Sequence, residues 1–350
     1  MHAPSGLPFD AVLVVSFGGP EGPDEILPFL KNVLRGRNVP PQRMLEVAEH
    51  YQLFRGVSPI NQQNRALVAA LRRELAAGGP NLSVYWGNRN WHPLLSDVLA
   101  QMSRDGIQRA IAFFTSAYSS YSGCRQYREN IAEAQQQVGP AAPTVEKLRA
   151  FFNHPGFIEP MAENLQCTLE KIAAERRSLA HIVFTAHSIP RSMAEGCQYE
   201  SQLREAARLV AERAGRSEAI LVYQSRSGPS TQAWLEPDIG NYLRQLAANG
   251  ETRDVVIVPI GFISDHMEVV YDLDTEARQI CDNLGLNLLR VPTVGTHPKF
   301  IRMIRDLIVE RMNPGVERIA LGSLGPCHDL CPADCCQPTL LTNPTRQPEK

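Results

Sequence analysis

HIVFTAHSIP, residues 181–190, places a short apolar, β-branched run directly before a polar turn that holds a histidine and ends in proline. Strands that alternate with helices are typical of βαβ units, in which helices cover both faces of a parallel sheet. The chain therefore predicts an α/β protein with doubly wound parallel sheets. Similar apolar runs, separated by longer segments of helical character, occur at 11–17, 84–87, 110–116, 181–186, 219–224 and 255–263.

The length of 350 residues favours two domains, because each can then bury a core of ordinary size. We expect an N-terminal α/β domain over 1–150 and a C-terminal α/β domain over 151–312, with a crossover between them near 138–155. Beyond residue 312 the pattern changes to glycine, proline and cysteine. Residues 313–350 are therefore predicted to be a Cys-rich tail, and its polar end, TNPTRQPEK, is predicted to be disordered.

Composition excludes some partners. The formal net charge of −2 and the absence of a lysine or arginine run disfavour nucleic acid, so a small molecule is the better prediction. The N-terminal apolar run is too short for a transmembrane segment and lacks a basic flank with a cleavage site. We expect a cytoplasmic protein; peripheral membrane contact and the oligomeric state stay open.

Polar clusters follow all six apolar runs. In open α/β sheets, ligands bind beyond the carboxyl ends of the strands, so these clusters should line one cleft. We expect the chemistry of the protein to take place there. In chain order the clusters read SFGGP, GNRNWHP, TSAYSSYS, TAHSIP, YQSRSGP and GFISDH.

His187 and a row of carboxylates are the candidates for that chemistry. A single strand-end histidine such as His187 could equally be a structural hydrogen-bonding residue. Glu268, Asp272 and Glu276, however, follow another strand end at a spacing of four, and a π-type turn would align them on one face. The alternative is a solvated acidic helix face. A carboxylate row in a cleft could pass hydrated divalent cations or protons, and a His/Glu pair suits Fe²⁺.

Four of the eight cysteines lie within GPCHDLCPADCC, between Cys327 and Cys336. In a cytosolic protein such crowding indicates metal binding rather than disulfide bonds. Tetrahedral thiolate sites suit structural zinc or an iron–sulfur cluster, and the spacing does not choose between them.

Together the motifs resemble those of the ferrochelatase family, in the family's order, from about residue 10 to residue 312. The resemblance implies two chelatase-type, Rossmann-like domains. It also implies a lyase of haem biosynthesis that inserts Fe²⁺ into a free-base porphyrin, protoporphyrin IX or coproporphyrin III, and releases two pyrrole protons. The motifs that carry it are SFGGPEGPDEILPFL, GVSPIN, GNRNWHP, SAYSSYSGCRQY, TAHSIP, QSRSGP and IGFISDHMEVVYDLD.

The resemblance also assigns residues. It implies that His187 and Glu268 are catalytic and bind the Fe²⁺ substrate, although which of the two is base and which is metal ligand stays open. Asp272 and Glu276 match an acidic row that the family places along a π-helix leading away from the metal. The porphyrin contacts that it implies are Ser58 and Tyr127, with Tyr51 and Arg89 as weaker matches and Phe17 near the porphyrin face.

A subset of the family holds a [2Fe–2S] cluster with C-terminal cysteines and one internal cysteine. For this chain the resemblance implies Cys124, Cys327, Cys331 and Cys336 as ligands, with Cys335 as the alternative to one of the tail cysteines. The alternatives are a cluster whose four ligands all come from the tail, or a zinc knuckle.

Two rival functions belong to other classes. A chelatase of the same architecture could load cobalt or nickel into a reduced tetrapyrrole, but such enzymes tend to use two histidines. A haem-binding or iron–sulfur electron-transfer or sensor protein could use the tail cluster, with the cleft only binding haem. The apparent lack of an apolar membrane lip favours coproporphyrin III as the porphyrin.

Overall fold

Two four-stranded parallel sheets organise the residues that the computed structural model describes, which are 8–36, 39–228, 231–250 and 253–338. The first sheet has the order β2-β1-β3-β4 and the second has the order β6-β5-β7-β8, so both halves repeat one topology. The predicted α/β fold with parallel sheets is confirmed. The strands are β1 Ala11–Ser16, β2 Ser83–Asn88, β3 Arg109–Phe114, β4 Thr144–Lys147, β5 His181–His187, β6 Ile220–Gln224, β7 Asp254–Val258 and β8 Asn287–Arg290.

The six predicted apolar runs all contain a strand, and the structure adds β4 and β8 at the sheet edges. Neither added strand has a long apolar run, because an edge strand such as TVEK is covered less completely than a central one. β4 lies inside 138–155, where the sequence predicted only a crossover. β7 ends at Val258, earlier than the run 255–263 suggests, because Pro259 has no N–H for the next ladder bond.

Helices cover the sheets, and two short π-helices lie among them. The helices are α1 Ile26–Val33, α2 Pro41–Leu53, α3 Ile60–Gly78, α4 Leu95–Arg104, α5 Gln126–Val138, α6 Pro155–Leu169, α7 Ala174–Arg177, α8 Arg191–Glu195, α9 Tyr199–Arg213, α10 Ile239–Asn249, α11 Met267–Val269, α12 Arg278–Leu284 and α13 Pro298–Met312; Pro23–Glu25 forms a 3₁₀ turn, and the π-helices span Tyr121–Arg125 and Val270–Ala277.

The last helix, α13, joins the two halves of the chain. It packs against α3 of the first half and against α6 at the start of the second. Phe300 of α13 lies between Phe113 of β3 and Phe157 of α6, with ring centroids 6.3 Å from each. One apolar core therefore runs through both halves.

The first part of the tail is anchored to the body by buried polar contacts. The Arg149 side chain is fully buried and donates to both carboxylate oxygens of Glu310 at 2.7 and 3.0 Å. It also donates to the carbonyl of Ile319 at 2.8 Å. Asn153 donates to the carbonyls of Leu321 and Gly325 at 3.1 and 2.8 Å. Tail carbonyls accept these bonds, and the side chains of Leu321 and Cys327 also pack against the core.

The predicted disordered end, TNPTRQPEK, lies outside the described residues. Among the residues that are described, no helix is both long enough and apolar enough to cross a membrane.

We expect Arg149→Met to destabilise the protein by about 3 kcal/mol, because it leaves the Glu310 carboxylate buried with its main partner removed. Denaturant unfolding of the variant measures this loss. Arg43→Met is the matched control, since it removes an exposed Arg–Glu pair from α2 and should cost less than about 1 kcal/mol. Equal losses in the two variants would contradict the anchoring role.

Candidate active site

The cleft opens where the central strands of both sheets end. In each sheet the chain crosses from one side to the other between the first strand and its inner neighbour, β1 beside β3 and β5 beside β7. Such crossing points form the ligand crevice of open α/β sheets. Two hydrogen bonds join the halves there: Tyr118 Oη donates to the Ile260 carbonyl at 2.8 Å, and the Asp265 amide donates to Gln63 Oε1, also at 2.8 Å.

His187 is the last residue of β5, and its imidazole and its backbone carbonyl each have a hydrogen-bond partner. Its Nδ1 lies 2.5 Å from the Ser188 carbonyl, and Tyr199 Oη donates to the His187 carbonyl at 3.0 Å. A carbonyl can only accept, so Nδ1 carries a proton and donates. In the neutral ring the lone pair is therefore on Nε2, which faces Glu268 at 3.7 Å.

Glu268 lies between two imidazoles. Its Oε1 is 3.7 Å from His187 Nε2, and its Oε2 is 3.9 Å from His266 Nδ1. Burial by itself would raise the pKa of Glu268, but the charge and hydrogen bond of His187 outweigh it and hold the pKa at about 2. Burial lowers the pKa of His187, and the Glu268 carboxylate more than reverses that, so the net shift is upward. Glu268 therefore stabilises the protonated form of His187 relative to an imidazole with no carboxylate beside it.

The carboxylate row continues along a π-helix, Val270–Ala277, as the spacing suggested. Burial raises the pKa of Asp272 to about 7, and the charges of Glu268 and Glu276 add to the effect. Ser225 donates a short hydrogen bond to Asp272 Oδ2, and Gln224 donates to the same oxygen at 3.3 Å. Ser225 has a left-handed backbone with φ of 61°, a strained conformation of the kind that clusters at functional sites.

Glu276, at the outer end of the row, lies near α2. Tyr271, on the same π-helix, stacks on His50 of α2 with ring centroids 3.8 Å apart and planes 10° apart. Burial raises the pKa of Tyr271, and the charge of Glu276 raises it further. A helix of the first half thus meets the acidic row of the second half.

Arg290 binds one carboxylate in the turn before the acidic row and one within the π-helix. It ends β8 and donates to Asp265 at 3.1 and 3.3 Å and to Asp274, within the π-helix, at 2.6 Å. Because Asp265 directly precedes His266, the Arg290 guanidinium links the turn before Glu268 to the π-helix. Sequence reasoning missed Arg290: a single arginine at the end of a short edge strand carries no local signal.

Tyr51 and Phe17 belong to an aromatic group on α1, α2 and the end of β1. The ring of Phe29 lies 5.8 Å from that of Tyr51 and 6.2 Å from that of Phe17. Burial raises the pKa of Tyr51, and the charge of Glu268 adds to this rise. The phenol therefore lies on the Glu268 side of the cleft.

Ser58 and Tyr127 are buried, and Arg89 is half-buried. The Arg89 guanidinium carbon is 4.6 Å from the Tyr127 ring centroid and 5.6 Å from that of Phe17, and its Nε donates to Asn130 at 2.7 Å. Ser58 is only 3% exposed. A side chain at Gly19 would meet its Oγ at 2.9 Å, so Gly19 is what allows Ser58 to approach the backbone.

Cys124 and Cys331 meet although 207 positions separate them. Cys124 is in the π-helix Tyr121–Arg125, where Gly123 N donates to Ser120 Oγ at 2.9 Å. A hydrogen bond from Cys124 lowers the pKa of Cys331 to about 4, despite the opposing effect of burial. The same bond, with burial, raises the pKa of the Cys124 thiol. The bond therefore favours ionisation of Cys331 over ionisation of Cys124.

The other three tail cysteines have two kinds of partner. Cys335 Sγ lies 3.5 Å from Cys336 Sγ, and Arg125 holds the Cys335 carbonyl at 3.0 Å. Cys327 Sγ instead accepts a hydrogen bond from Gln202 at 3.5 Å. Among the described residues, one group of three metal-binding side chains has donor atoms within 4.8 Å of one another: His328, Cys331 and Cys335. Sulfur and imidazole donors so close together fit an iron–sulfur cluster or zinc. His328 was not among the residues that the sequence predicted.

Comparison with known proteins gives a consistent result. The sequence model of the ferrochelatase family matches residues 9–312. A ferrochelatase of Rhodopirellula baltica is 55% identical over 97% of this chain and 96% of its own length. The coproporphyrin III ferrochelatase of Streptomyces griseus is 52% identical over 94% of this chain and 93% of its own length. That of Streptomyces coelicolor is 50% identical with the same coverage.

A solved structure of SirB from Bacillus subtilis with Fe³⁺ has the same kind of fold. Its TM-score is 0.52 at 10% identity, over 87% of this chain and 96% of that chain. This likeness supports the chelatase-like architecture and carries no further argument about the site.

We expect Glu268→Gln to lower the pKa of His187, because it removes the carboxylate charge that raises it. NMR titration of ¹⁵N-histidine-labelled protein measures the shift. Glu276→Gln is the matched control, since Asp272 and not Glu276 is the next carboxylate to act on His187. An unchanged His187 pKa in Glu268→Gln, or an equal shift in both variants, would contradict the pairing.

Proposed function

Because this chain belongs to the ferrochelatase family and inserts iron into a porphyrin for haem biosynthesis, we propose that its porphyrin substrate is coproporphyrin III. The family match over residues 9–312 sets aside both rivals, the cobalt or nickel chelatase and the haem-binding or electron-transfer protein. The observation that carries the assignment to a site is His187 Nε2 facing Glu268 at 3.7 Å in the cleft.

The relatives support coproporphyrin III. The two Streptomyces relatives, at 52% and 50% identity, are named for this porphyrin. Coproporphyrin III differs from protoporphyrin IX by carrying propionates where the latter carries vinyl groups. A more anionic macrocycle requires more polar partners at the mouth of the cleft, and Arg89 is our candidate for one propionate. Phe17, Tyr51, Ser58 and Tyr127 are our candidates for the other porphyrin contacts.

His187 is the proposed proton acceptor. A free-base porphyrin loses two pyrrole protons as Fe²⁺ enters, and a neutral His187 offers the Nε2 lone pair to one of them. The Ser188 carbonyl keeps the other ring nitrogen protonated, so the accepting atom is defined. Glu268 then stabilises the imidazolium that forms, because its carboxylate stays ionised at neutral pH.

The acidic row is the proposed route between the metal site and solvent. Asp272, with a pKa of about 7, is partly protonated at neutral pH and can pass a proton in either direction. Glu268 and Glu276, one on either side of it, extend the row along one helix face. Carboxylate oxygens also bind hydrated divalent cations, so the same row can deliver Fe²⁺.

We further propose that the tail binds a [2Fe–2S] cluster through Cys124 and tail thiolates. The support is that Cys331 packs against the core cluster that contains Cys124, that donor atoms of His328, Cys331 and Cys335 lie within 4.8 Å of one another, and that Cys335 Sγ is 3.5 Å from Cys336 Sγ. When bound, such a cluster supplies a one-electron redox centre and a covalent link between tail and body. Cys331 is common to every arrangement; Cys327 and Cys336 are the sequence-based assignments for the remaining two positions.

We expect kcat/KM to be at least about tenfold higher for coproporphyrin III than for protoporphyrin IX, a difference of about 1.4 kcal/mol. Anaerobic assays with Fe²⁺ that follow loss of free-base fluorescence give both values. Equal values, or a preference for protoporphyrin IX, would contradict the substrate proposal but not the conclusion that the chain inserts iron.

We expect His187→Ala to lower kcat by about 10²- to 10⁴-fold, the usual contribution of a positioned general base. Porphyrin binding, measured by absorbance titration, should persist because the macrocycle contacts are unchanged. His181→Ala is the matched control: His181 begins the same strand, bonds Tyr242 at 2.8 Å, and should be replaceable with little loss of rate. Near-normal turnover by His187→Ala would remove His187 from the mechanism.

A further inference from the structure

Arg290 joins two segments of the chain that carry the acidic residues of the site. It ends β8, and its side chain is 15% exposed. Both terminal nitrogens of its guanidinium donate to the Asp265 carboxylate, at 3.1 and 3.3 Å, and its Nε donates to Asp274 Oδ1 at 2.6 Å. The planar guanidinium therefore binds two carboxylates in fixed directions, which the single ammonium of a lysine could not do.

Asp265 has partners in both halves of the chain. Its carboxylate also accepts from Thr293 Oγ1 at 3.2 Å, and its amide donates to Gln63 of α3 at 2.8 Å. Glu268 follows three residues later. The turn that leads to Glu268 is thus connected at its start to α3 in the first half and to the end of β8 in the second half.

Asp274 lies on the π-helix but not on the face of the acidic row. It comes two residues after Asp272 and two residues before Glu276, and residues two apart do not share a helix face. Arg290 therefore binds the π-helix without occupying the row.

Arg290 also supplies a positive charge to a segment that has none of its own from lysine or arginine. Residues 265–276 contain five carboxylates and no lysine or arginine. By pairing with Asp265 and Asp274, Arg290 offsets the two carboxylates that are not part of the row. Their charges then add less to the repulsion along it.

We propose that Arg290 is a positioning residue for metal insertion. It acts through Glu268 rather than on the porphyrin or the metal. By holding the turn before Glu268 against the π-helix, it keeps Glu268 beside His187 and in line with Asp272. This rests on the proposed roles of His187 and the acidic row, and it extends the site to a residue on an edge strand.

The test compares full-length Arg290→Met and Asp274→Ala with the wild-type protein, using Fe²⁺ and the porphyrin that the wild-type protein converts faster. Both variants should lower kcat by about tenfold or more, because a small displacement of a catalytic group is enough for such a loss. Porphyrin affinity, measured by absorbance titration, should be unchanged. Arg290→Lys keeps the charge but not the geometry, so its kcat should stay below that of the wild-type protein.

Arg278→Met is the matched control. Arg278 is a cation beside the same strand, where it donates to the Leu288 carbonyl at 3.3 Å, and its replacement should leave kcat unchanged. An equal loss of kcat in Arg278→Met and Arg290→Met would show a general effect of lost charge and would overturn the positioning role.

NMR titration of His187 distinguishes displacement of Glu268 from loss of the Arg290 charge. Removing the cation would by itself raise the pKa of His187, because two nearby carboxylates lose their counter-charge. Moving Glu268 away would lower this pKa, since the Glu268 carboxylate is what raises it. A fall in Arg290→Met therefore supports the positioning role, and an unchanged or raised pKa overturns it.

Normal kcat in either Arg290→Met or Asp274→Ala also overturns the role of Arg290 but leaves the assignment of His187 and Glu268 standing. If Arg290→Met does not fold, Asp274→Ala decides alone, because it keeps the pair between Arg290 and Asp265. Near-normal turnover by His187→Ala would instead overturn the proposed site, and with it the basis of this proposal.

Discussion

Three carboxylates on one helix face, Glu268, Asp272 and Glu276, are the constraint on which the rest of the cleft depends. Like charges at this spacing repel, and the cost is largest at Asp272, which is half-buried between two exposed carboxylates. The structure offsets it by different means along the row. His187 pairs with Glu268, Ser225 and Gln224 donate to Asp272, and a raised pKa lets Asp272 take up a proton. Glu268 and Asp272 are thus stabilised by different partners, an arrangement that suits the proposed route for protons or cations.

The fold explains why these groups meet. His187 ends one central strand of the second sheet, and Glu268 follows the neighbouring central strand, so parallel pairing brings both to the same edge of the sheet. Much of this was predictable from the sequence, since the six apolar runs and their polar ends mark the strands and the cleft. The edge strands β4 and β8 were not, because an edge strand needs little apolar surface. Arg290 was not predictable either, since its two carboxylate partners are distant in sequence and become neighbours only through the fold.

The candidate site also contains residues that the sequence could predict and contacts that it could not. His187, Glu268 and the acidic row lie within short motifs, and a helical period is enough to align the row. The tail differs, because Cys124 and Cys331 approach each other only when the tail has docked. Sequence spacing could name the cysteines but could not show that Gln202 engages Cys327 or that His328 faces Cys331 and Cys335. Such contacts depend on the path of an irregular segment, which has no period.

The docking of that segment does not depend on the proposed cluster alone. A bound cluster would link the tail to the body through Cys124. Arg149, Asn153 and Glu205 already bind tail backbone groups through buried or half-buried contacts. A buried cation such as Arg149 is stable only when fully paired, so Glu310 and the Ile319 carbonyl hold it, and through it the tail, in one arrangement. Protein contacts therefore bring the first part of the tail to the body, and the proposed metal group is not needed to explain this docking.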